Sequence, residues 1–302
     1  MNARQYRDHY VSQCLLRQFR DEKGLLYTCA IGSRIVNTHS DTRYICQKGN
    51  WSTSRKIEGM FANIEAKAAS LLYRINSNPY IAHTWSIESR LSLVEFILSH
   101  ILRSTYYQQL VEDFIDFKNR LEQKKHTSNL SIREEGIIDI ATSIPELRVA
   151  LSTMNCISLT IKNDKDVFIL SDNPLVKLSS TEYYVYRGNA YHDSTYYWFP
   201  LGPKVGLFFG RFNGKKALHT KHGVIESRIA PTKLINLLNR ASISNSIEIA
   251  ICSKKNFLKG KSKLFPKEIK TFTVDCVGPI MSMRPTNVHD MDQSLCEKVF
   301  GT

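Results

Sequence analysis

Two polar side chains that could do chemistry stand four residues apart near the start of the chain. His9 and Gln13 bound the run HYVSQ, and Ser12 within it is a suitable N-cap for the apolar helix predicted to follow. An imidazole facing a cleft can act as a general base or bind a metal ion, and a carboxamide can orient a substrate. The alternative is a packed N-terminus in which His9 donates to a backbone carbonyl.

An acidic residue and an amide follow an apolar strand far downstream. Asp172 and Asn173 stand between Ser171 and Pro174. A carboxylate that ends a buried strand is often catalytic or binds a metal ion. The same residue types form an Asx-Pro turn, in which the polar side chains cap the chain reversal and proline fixes φ. The residue types are compatible with both interpretations.

Glu65 and Arg103 are two further candidates. The order Glu65-Ala66-Lys67 matches the Glu-x-Lys element of metal-dependent nucleases, which places both side chains on one face of a strand. Here a helix is predicted, which separates the two side chains by about 200°. The nuclease match is therefore rejected, although Glu65 alone could face a site. Arg103 ends an apolar helix, where it could bind a phosphate or offset the helix dipole.

The charge of the chain favours a polyanionic partner. The net charge is +13 and the isoelectric point is about 9.4, values that favour nucleic acid. Residues 253–263 hold five lysines and no acid, and a second basic stretch runs from Arg211 to Arg228. Neither stretch has the pattern of a clear amphipathic helix, and the alternative is a solvated loop. The candidate nucleic-acid-binding residues are Lys215, Lys216, Lys254, Lys255, Lys259, Lys261 and Lys263.

Composition argues against a membrane or secreted protein. No segment approaches the roughly 20 apolar residues that span a bilayer, and no apolar stretch follows the basic N-terminus as in a secretory signal. The seven cysteines are scattered and form no CxxC pair, so we expect reduced, mostly buried thiols. A cytoplasmic protein is expected, with no membrane partner. Its oligomeric state is left open.

Periodicity predicts an α+β fold. An N-terminal hairpin and a helical region, about residues 56–152, are expected to pack with a mainly antiparallel sheet, about 153–275. The whole of 1–275 is predicted as one domain, with halves 1–152 and 153–275, and 276–302 as a loosely attached tail. The predicted helices are 56–75, 86–103, 106–123, 131–151 (interrupted at Pro145) and 230–244. The predicted strands are 24–30, 33–38, 157–162, 167–170, 183–186, 196–201, 205–210 and 247–252.

The order of these motifs resembles a bacterial family, domain of unknown function 4238. The opening resembles that family's HYVPQ-x-L-R-x-F, with Ser12 in place of the usual proline, and the Ser-Asp-Asn-Pro block at 171–174 is similar. Weaker similarities lie at 64–69, 102–105, 199–203 and 238–239, so the resemblance spans about 7–252. The family has no agreed reaction, and some members look like anti-phage defence proteins. The resemblance implies that His9, Gln13, Glu65, Arg103, Asp172 and Asn173 share a pocket.

From these observations we expect an anti-phage effector that acts on nucleic acid, in which a divalent metal is one option for hydrolysis. His9 would be the base, Asp172 with Glu65 would bind the metal or polarise the nucleophile, and Arg103 would stabilise phosphate charge. The first alternative is a non-enzymatic module that recognises a phage protein or RNA. The second is a host-directed toxin that acts on translation. Whether the protein is an enzyme is left open by its sequence.

Overall fold

The computed structural model describes residues 7–9, 11–45, 47–49, 55–79, 86–103, 145–179, 195–210, 226–264, 273–277 and 280–284. It has the predicted α+β fold, in which helices accompany mainly antiparallel sheets. The described helices are α1 (Gln13–Gln18), α2 (Arg55–Ser77), α3 (Ile87–Arg103), α4 (Pro145–Thr153), α5 (Thr232–Asn245) and α6 (Lys255–Lys261), with 3-10 turns at Thr42–Tyr44 and Ser262–Leu264. None of these helices is long and apolar enough to cross a membrane.

The strands follow the same order along the chain. They are β1 (Arg7–His9), β2 (Leu26–Ala30), β3 (Val36–His39), β4 (Gln47–Gly49), β5 (Asn155–Thr160), β6 (Leu170–Ser171), β7 (Val176–Ser179), β8 (Thr195–Pro200), β9 (Val205–Gly210), β10 (Glu226–Ile229), β11 (Ile249–Cys252), β12 (Thr273–Val277) and β13 (Ile280–Arg284). The helices and strands predicted at 106–123, 131–144 and 183–186 lie outside the described residues.

A five-stranded sheet in the order β10-β5-β9-β8-β7 forms the centre of the fold, and only its β10–β5 pair is parallel. Alternate residues of β8 enter different cores, because successive side chains of a strand point to opposite faces. Tyr197 and Phe199 join the core that includes residues of α1, α2 and α3. Trp198 joins the core formed with α5. The sheet therefore lies between two helical layers.

A four-stranded sheet in the order β3-β2-β11-β6 combines two strands from the N-terminal part of the chain with two strands from much later in the sequence. Its β2–β3 pair confirms the predicted N-terminal hairpin. Strand β11 enters 219 residues after β2 has ended, counting from Ala30 to Ile249, and pairs with it antiparallel. Its other neighbour is β6, where Leu170 opposes Ile251. Leu258 of α6 is fully buried in the same core.

The strands predicted at 157–162 and 167–170 follow one another across a short turn, the pattern of a hairpin, but they do not pair with each other. Strand β5 pairs with β9 over six residues, while only Leu170 and Ser171 of the second segment form a strand, in the other sheet. The turn itself is present, and Asn163 donates to the Asp166 carboxylate at 2.9 Å. The long apolar strand β9 offers β5 a ladder that is buried on both faces, and this burial outweighs the short local pairing.

Three smaller predictions need correction or refinement. Pro145 is the first residue of α4, a position that suits proline because a backbone N–H in the first turn is left unpaired, while the part of the helix predicted before it lies outside the described residues. The lysine-rich stretch at 253–263 is largely helical, and Leu258 anchors it in the core. Strands β12 and β13 form a separate hairpin, so the boundary predicted at 275 falls inside β12.

Candidate functional site

The N-terminus of α1 is held by a buried histidine of α3. Ser12 caps the helix as predicted, with its hydroxyl accepting from Leu15 N–H at 3.4 Å. The same residue meets Nε2 of His100 twice, through its backbone N–H and its hydroxyl, each at 3.2 Å. Nδ1 of His100 lies 2.8 Å from the Phe96 carbonyl, which can only accept, so Nδ1 carries the proton.

Burial keeps this imidazole neutral. His100 has no exposed surface and lies against the rings of Phe96 and Phe199, at centroid distances of 4.5 and 5.6 Å. Desolvation lowers the pKa of His100 to about 3, since a buried charge loses its hydration. Nε2 is therefore an acceptor at neutral pH. The sequence signal for His100 is its position within an apolar helical stripe, and it was not among the predicted site residues.

Cys14 extends the hydrogen-bonded chain toward the surface. Its half-buried sulfur lies 3.3 Å from the Ser12 hydroxyl, which already donates to His100, so the thiol is the donor. Burial, with a smaller contribution from the negative charge of Glu65, raises the pKa of Cys14 to about 11. The thiol is therefore protonated at neutral pH and is a poor nucleophile. Ser12 is fully buried, so the Ser12–His100 pair has the geometry of a nucleophile and base but is closed to substrate.

Glu65 and Arg103, both candidates from the sequence, form an ion pair between α2 and α3. Nη1 of Arg103 donates to Oε1 of Glu65. The Arg103 side chain is only 7% exposed and Glu65 is 24% exposed. The guanidinium carbon also lies 4.0 Å from the centroid of the Phe61 ring, a cation–π contact. Since both charges act on the Cys14 thiol, residues of α1, α2 and α3 converge here.

The other two N-terminal candidates, His9 and Gln13, lie on β1 and on α1. Gln13 is the first residue of α1, but its amide is engaged: Nε2 donates to the Thr42 carbonyl and Oε1 accepts from the Thr42 hydroxyl, both at 2.7 Å. His9 ends β1, opposite Gln47 of β4, and its side chain is outside the described atoms. Gln13 thus pins the 3-10 turn to α1.

Asp172 makes its hydrogen bonds with the chain that follows α5. Its carboxylate is 1% exposed and accepts the backbone N–H groups of Ile247, Glu248 and Ile249 at 2.8, 2.6 and 3.0 Å. Burial raises the pKa of Asp172 to about 6, and the three donors oppose that rise. Among the described side chains, no hydrogen bond or ion pair joins Asp172 to Glu65 or Arg103. The carboxylate holds the turn between α5 and β11.

The hydrogen bonds of Asn173 also have a structural role. The Asn173 carbonyl accepts from Nδ2 of Asn245 at 2.6 Å, and the Asn173 N–H donates to the Ser171 hydroxyl at 3.0 Å. These bonds tie the Ser-Asp-Asn-Pro block to the end of α5. Within the described ranges, no three His, Cys, Asp or Glu side chains are grouped as a metal site requires. A metal would need ligands beyond these side chains.

The lysine candidates that can be placed lie on and around α6. Lys255, Lys259 and Lys263 are exposed, while Lys254 and Lys261 are half-buried. Nζ of Lys261 donates to Oδ1 of Asn236 on α5 at 3.0 Å and lies 5.5 Å from the centre of the Phe257 ring. Lys215 and Lys216 lie outside the described residues. We call the exposed side chains of Lys255, Lys259 and Lys263 the α6 basic surface.

These elements define an α+β protein with a helical layer on each side of its central sheet and a polar cluster where α1, α2 and α3 meet. Residues 7–256 match the family described as protein of unknown function (DUF4238), and the chain belongs to that family. The match includes all six polar candidates from His9 to Asn173, but it ends before Lys259 and Lys263. No curated protein and no solved structure matches the chain.

Proposed function

We propose that the protein is an anti-phage defence effector that binds nucleic acid through the α6 basic surface. The observation that carries the proposal is the placement of two exposed lysines, Lys255 and Lys259, on a helix that is anchored to the fold, with Lys263 on the 3-10 turn that follows it. A charged surface on a fixed element can hold phosphates at constant spacing, whereas lysines on a loose loop lose more conformational entropy on binding. The anti-phage role comes from the family resemblance.

Two contacts support the anchoring of the α6 basic surface. Leu258 is fully buried in the core of the β11 sheet, on the side of α6 that faces the protein. Lys261 is tied to Asn236, so α6 is joined to α5 by a polar contact as well. The segment 253–264 carries five positive charges and no negative charge. Phosphate backbones are the polyanions that such a surface attracts most strongly.

The catalytic part of the proposal rests on His9, Glu65 and Arg103. We propose that Arg103 would stabilise phosphate charge and Glu65 would polarise the attacking group, with His9 as base. Glu65 is accessible enough to meet a ligand, with about a quarter of its side chain exposed. Asp172 leaves this proposed set, because its carboxylate oxygens are already used by three backbone amides.

A non-enzymatic binding module is the second candidate function. It is favoured by the engagement of Asp172 and Gln13 in the fold, since a catalytic side chain needs an unoccupied polar atom for its substrate. Under this alternative the protein would block replication by binding a phage protein or RNA. Alanine at Asp172 or Gln13 would then lower stability in proportion to any loss of protection.

The test compares two triple variants of equal charge. The first replaces Lys255, Lys259 and Lys263 with glutamine. The control replaces three other exposed lysines, Lys23, Lys162 and Lys165, with glutamine. We expect the first variant to bind oligonucleotides more weakly in fluorescence anisotropy, with a log K against log [salt] slope reduced by up to about 3 for duplex DNA. The control should retain the wild-type slope, and equal slopes in both variants would reject the α6 basic surface.

Protection is measured with the same proteins. Cells carrying wild type, the two triple variants and His9→Ala are compared for phage plaquing at matched soluble protein levels. Loss of protection in the α6 variant alone supports nucleic-acid binding as the effector step. Loss in His9→Ala with nucleic-acid affinity intact supports a hydrolytic step, to be followed by nuclease assays with divalent metals. Full protection by both the α6 triple variant and His9→Ala would contradict the proposed function.

A further inference from the structure

A second pair of polar side chains lies at the edge of the central sheet. Lys177 on the edge strand β7 stands directly opposite Tyr197 on β8. Directly opposed residues of an antiparallel pair project to the same face, with Cβ atoms about 5 Å apart. Their neighbours Val176 and Trp198 enter the core on the α5 side. Lys177 and Tyr197 therefore project to the face covered by the N-terminal helices.

Tyr197 is buried and Lys177 is half-buried, and neither side chain has a polar partner among the described residues. Tyr197 is only 4% exposed and belongs to the same apolar core as Phe199. Burial lowers the pKa of Lys177 and raises the pKa of Tyr197, so each polar end loses hydration. Across the described residues, no hydrogen bond or ion pair engages either side chain. Neither the Lys177 ammonium nor the Tyr197 hydroxyl is among the described side-chain atoms that are fully buried and lack a hydrogen-bond partner.

We propose that Lys177 and Tyr197 bind a phosphate group carried by a nucleotide or a polynucleotide. The ammonium offers three N–H donors and the phenol one O–H donor, so the pair suits an anion rich in acceptor oxygens. A phosphate presents several such oxygens around one centre and can receive both donors at once. The apolar surroundings strengthen the attraction, since Coulomb energy rises as the dielectric falls.

Lys177 differs from Lys162 in its exposure to solvent. Lys162, on the loop that follows β5, is exposed and needs no partner to keep its charge hydrated. Lys177 is half-buried, and burial lowers its pKa because an unpaired ammonium is less favourable there than in water. An anion bound there removes that cost. The site is distinct from the α6 basic surface and does not depend on it.

Binding is measured by isothermal titration calorimetry on the full chain with inorganic phosphate, adenosine monophosphate and a short single-stranded oligonucleotide. We expect saturable binding of phosphate by wild type, a loss of about tenfold or more in Lys177→Met, and a loss of about fivefold in Tyr197→Phe. Lys162→Met is the matched control and should bind as wild type does. If Lys177→Met does not fold, Tyr197→Phe carries the test because its ring is unchanged.

The three probes separate the two sources of phosphate. Competition between monophosphate and oligonucleotide for this site would assign it to a polynucleotide backbone, whereas binding of the monophosphate alone would assign it to a free nucleotide. The α6 triple glutamine variant should keep its phosphate affinity, which makes failure of this site distinguishable from failure of the α6 basic surface. Unchanged affinity in folded Lys177→Met, or no binding of any probe by wild type, would overturn the proposal.

Discussion

Ser12 and His100 stand 88 positions apart in the chain and meet at a single nitrogen atom. The backbone N–H and the hydroxyl of Ser12 each lie 3.2 Å from Nε2 of His100. This double contact attaches the start of α1 to the last turns of α3. It thereby places Cys14 beside the Glu65–Arg103 ion pair, whose charges act on its thiol. A neutral imidazole is required, because a protonated Nε2 could not accept either bond.

The contribution of His100 to the free energy of unfolding should decrease in mild acid. The pKa of His100 is about 3 in the folded protein and 6.5 in the unfolded chain, so the unfolded chain binds the proton first as pH falls. Stability from this group is complete above about pH 6.5 and decreases toward pH 3 by up to about 1.4 kcal/mol per pH unit. Urea unfolding at several pH values measures the total pH dependence of stability, of which this slope is one part.

The comparison with His100→Gln isolates that slope from other titrations. Asp172 acts in the opposite direction, because its pKa is about 6 in the folded protein and 3.8 in the unfolded chain. Its contribution to stability is therefore complete below pH 3.8 and is lost as the pH rises through 6. Both proteins share this Asp172 contribution. The stability difference between wild type and His100→Gln should therefore shrink steadily below pH 6.5, and a constant difference would contradict a neutral, buried His100.

The Glu65–Arg103 pair should matter far more for stability than a surface ion pair. Glu65→Gln removes a negative charge that contacts a guanidinium only 7% exposed, which costs about 3 kcal/mol. The matched control is Glu95→Gln, which breaks the pair between Glu95 and Arg148, where the side chains are 35% and 57% exposed. That change should cost less than about 1 kcal/mol. Denaturant unfolding of the two variants measures both losses in the free energy of unfolding. Similar losses would contradict the burial of Arg103.

Asp172→Ala should destabilise the protein strongly. The change leaves the N–H groups of residues 247–249 without their acceptor, and the loss of each hydrogen bond to a charged group costs about 1.5–3 kcal/mol. Asp172→Asn keeps one carbonyl oxygen and should cost less. Chemical denaturation measures both variants, with Asp164→Ala as a fully exposed control that should have little effect. Wild-type stability in Asp172→Ala would contradict the structural role.

Gly206→Ala tests the packing of the central sheet against α5. A Cβ at this position would collide with the indole ring of Trp198, which is fully buried and cannot move away. We expect a loss of about 1–3 kcal/mol, the usual cost of overpacking a core. Gly59→Ala is the control: no atom lies within 4 Å of its Cβ, and it sits in α2, where alanine should raise stability by up to about 1 kcal/mol.

Local patterns in the sequence predicted the elements that short-range physics determines. The apolar stripe of α2, the Ser86 start of α3 and the Ser12 cap of α1 are confirmed, because helix periodicity and capping involve residues at most four positions apart. Strand β9 begins and ends where its apolar run does. The family, too, was recognisable from the opening block and the Ser-Asp-Asn-Pro block.

Tertiary structure alone decided which side chains meet. Asp172 finds its three donors 75 to 77 positions away, and Glu65 reaches Arg103 across 38. The partner of β5 and the burial of Lys177 likewise depend on strands brought together from distant parts of the chain. The sequence by itself determined residue chemistry and local conformation, which depend on neighbours along the chain. Pairing and burial were decided only by packing, since the lowest free energy there is a property of the whole core.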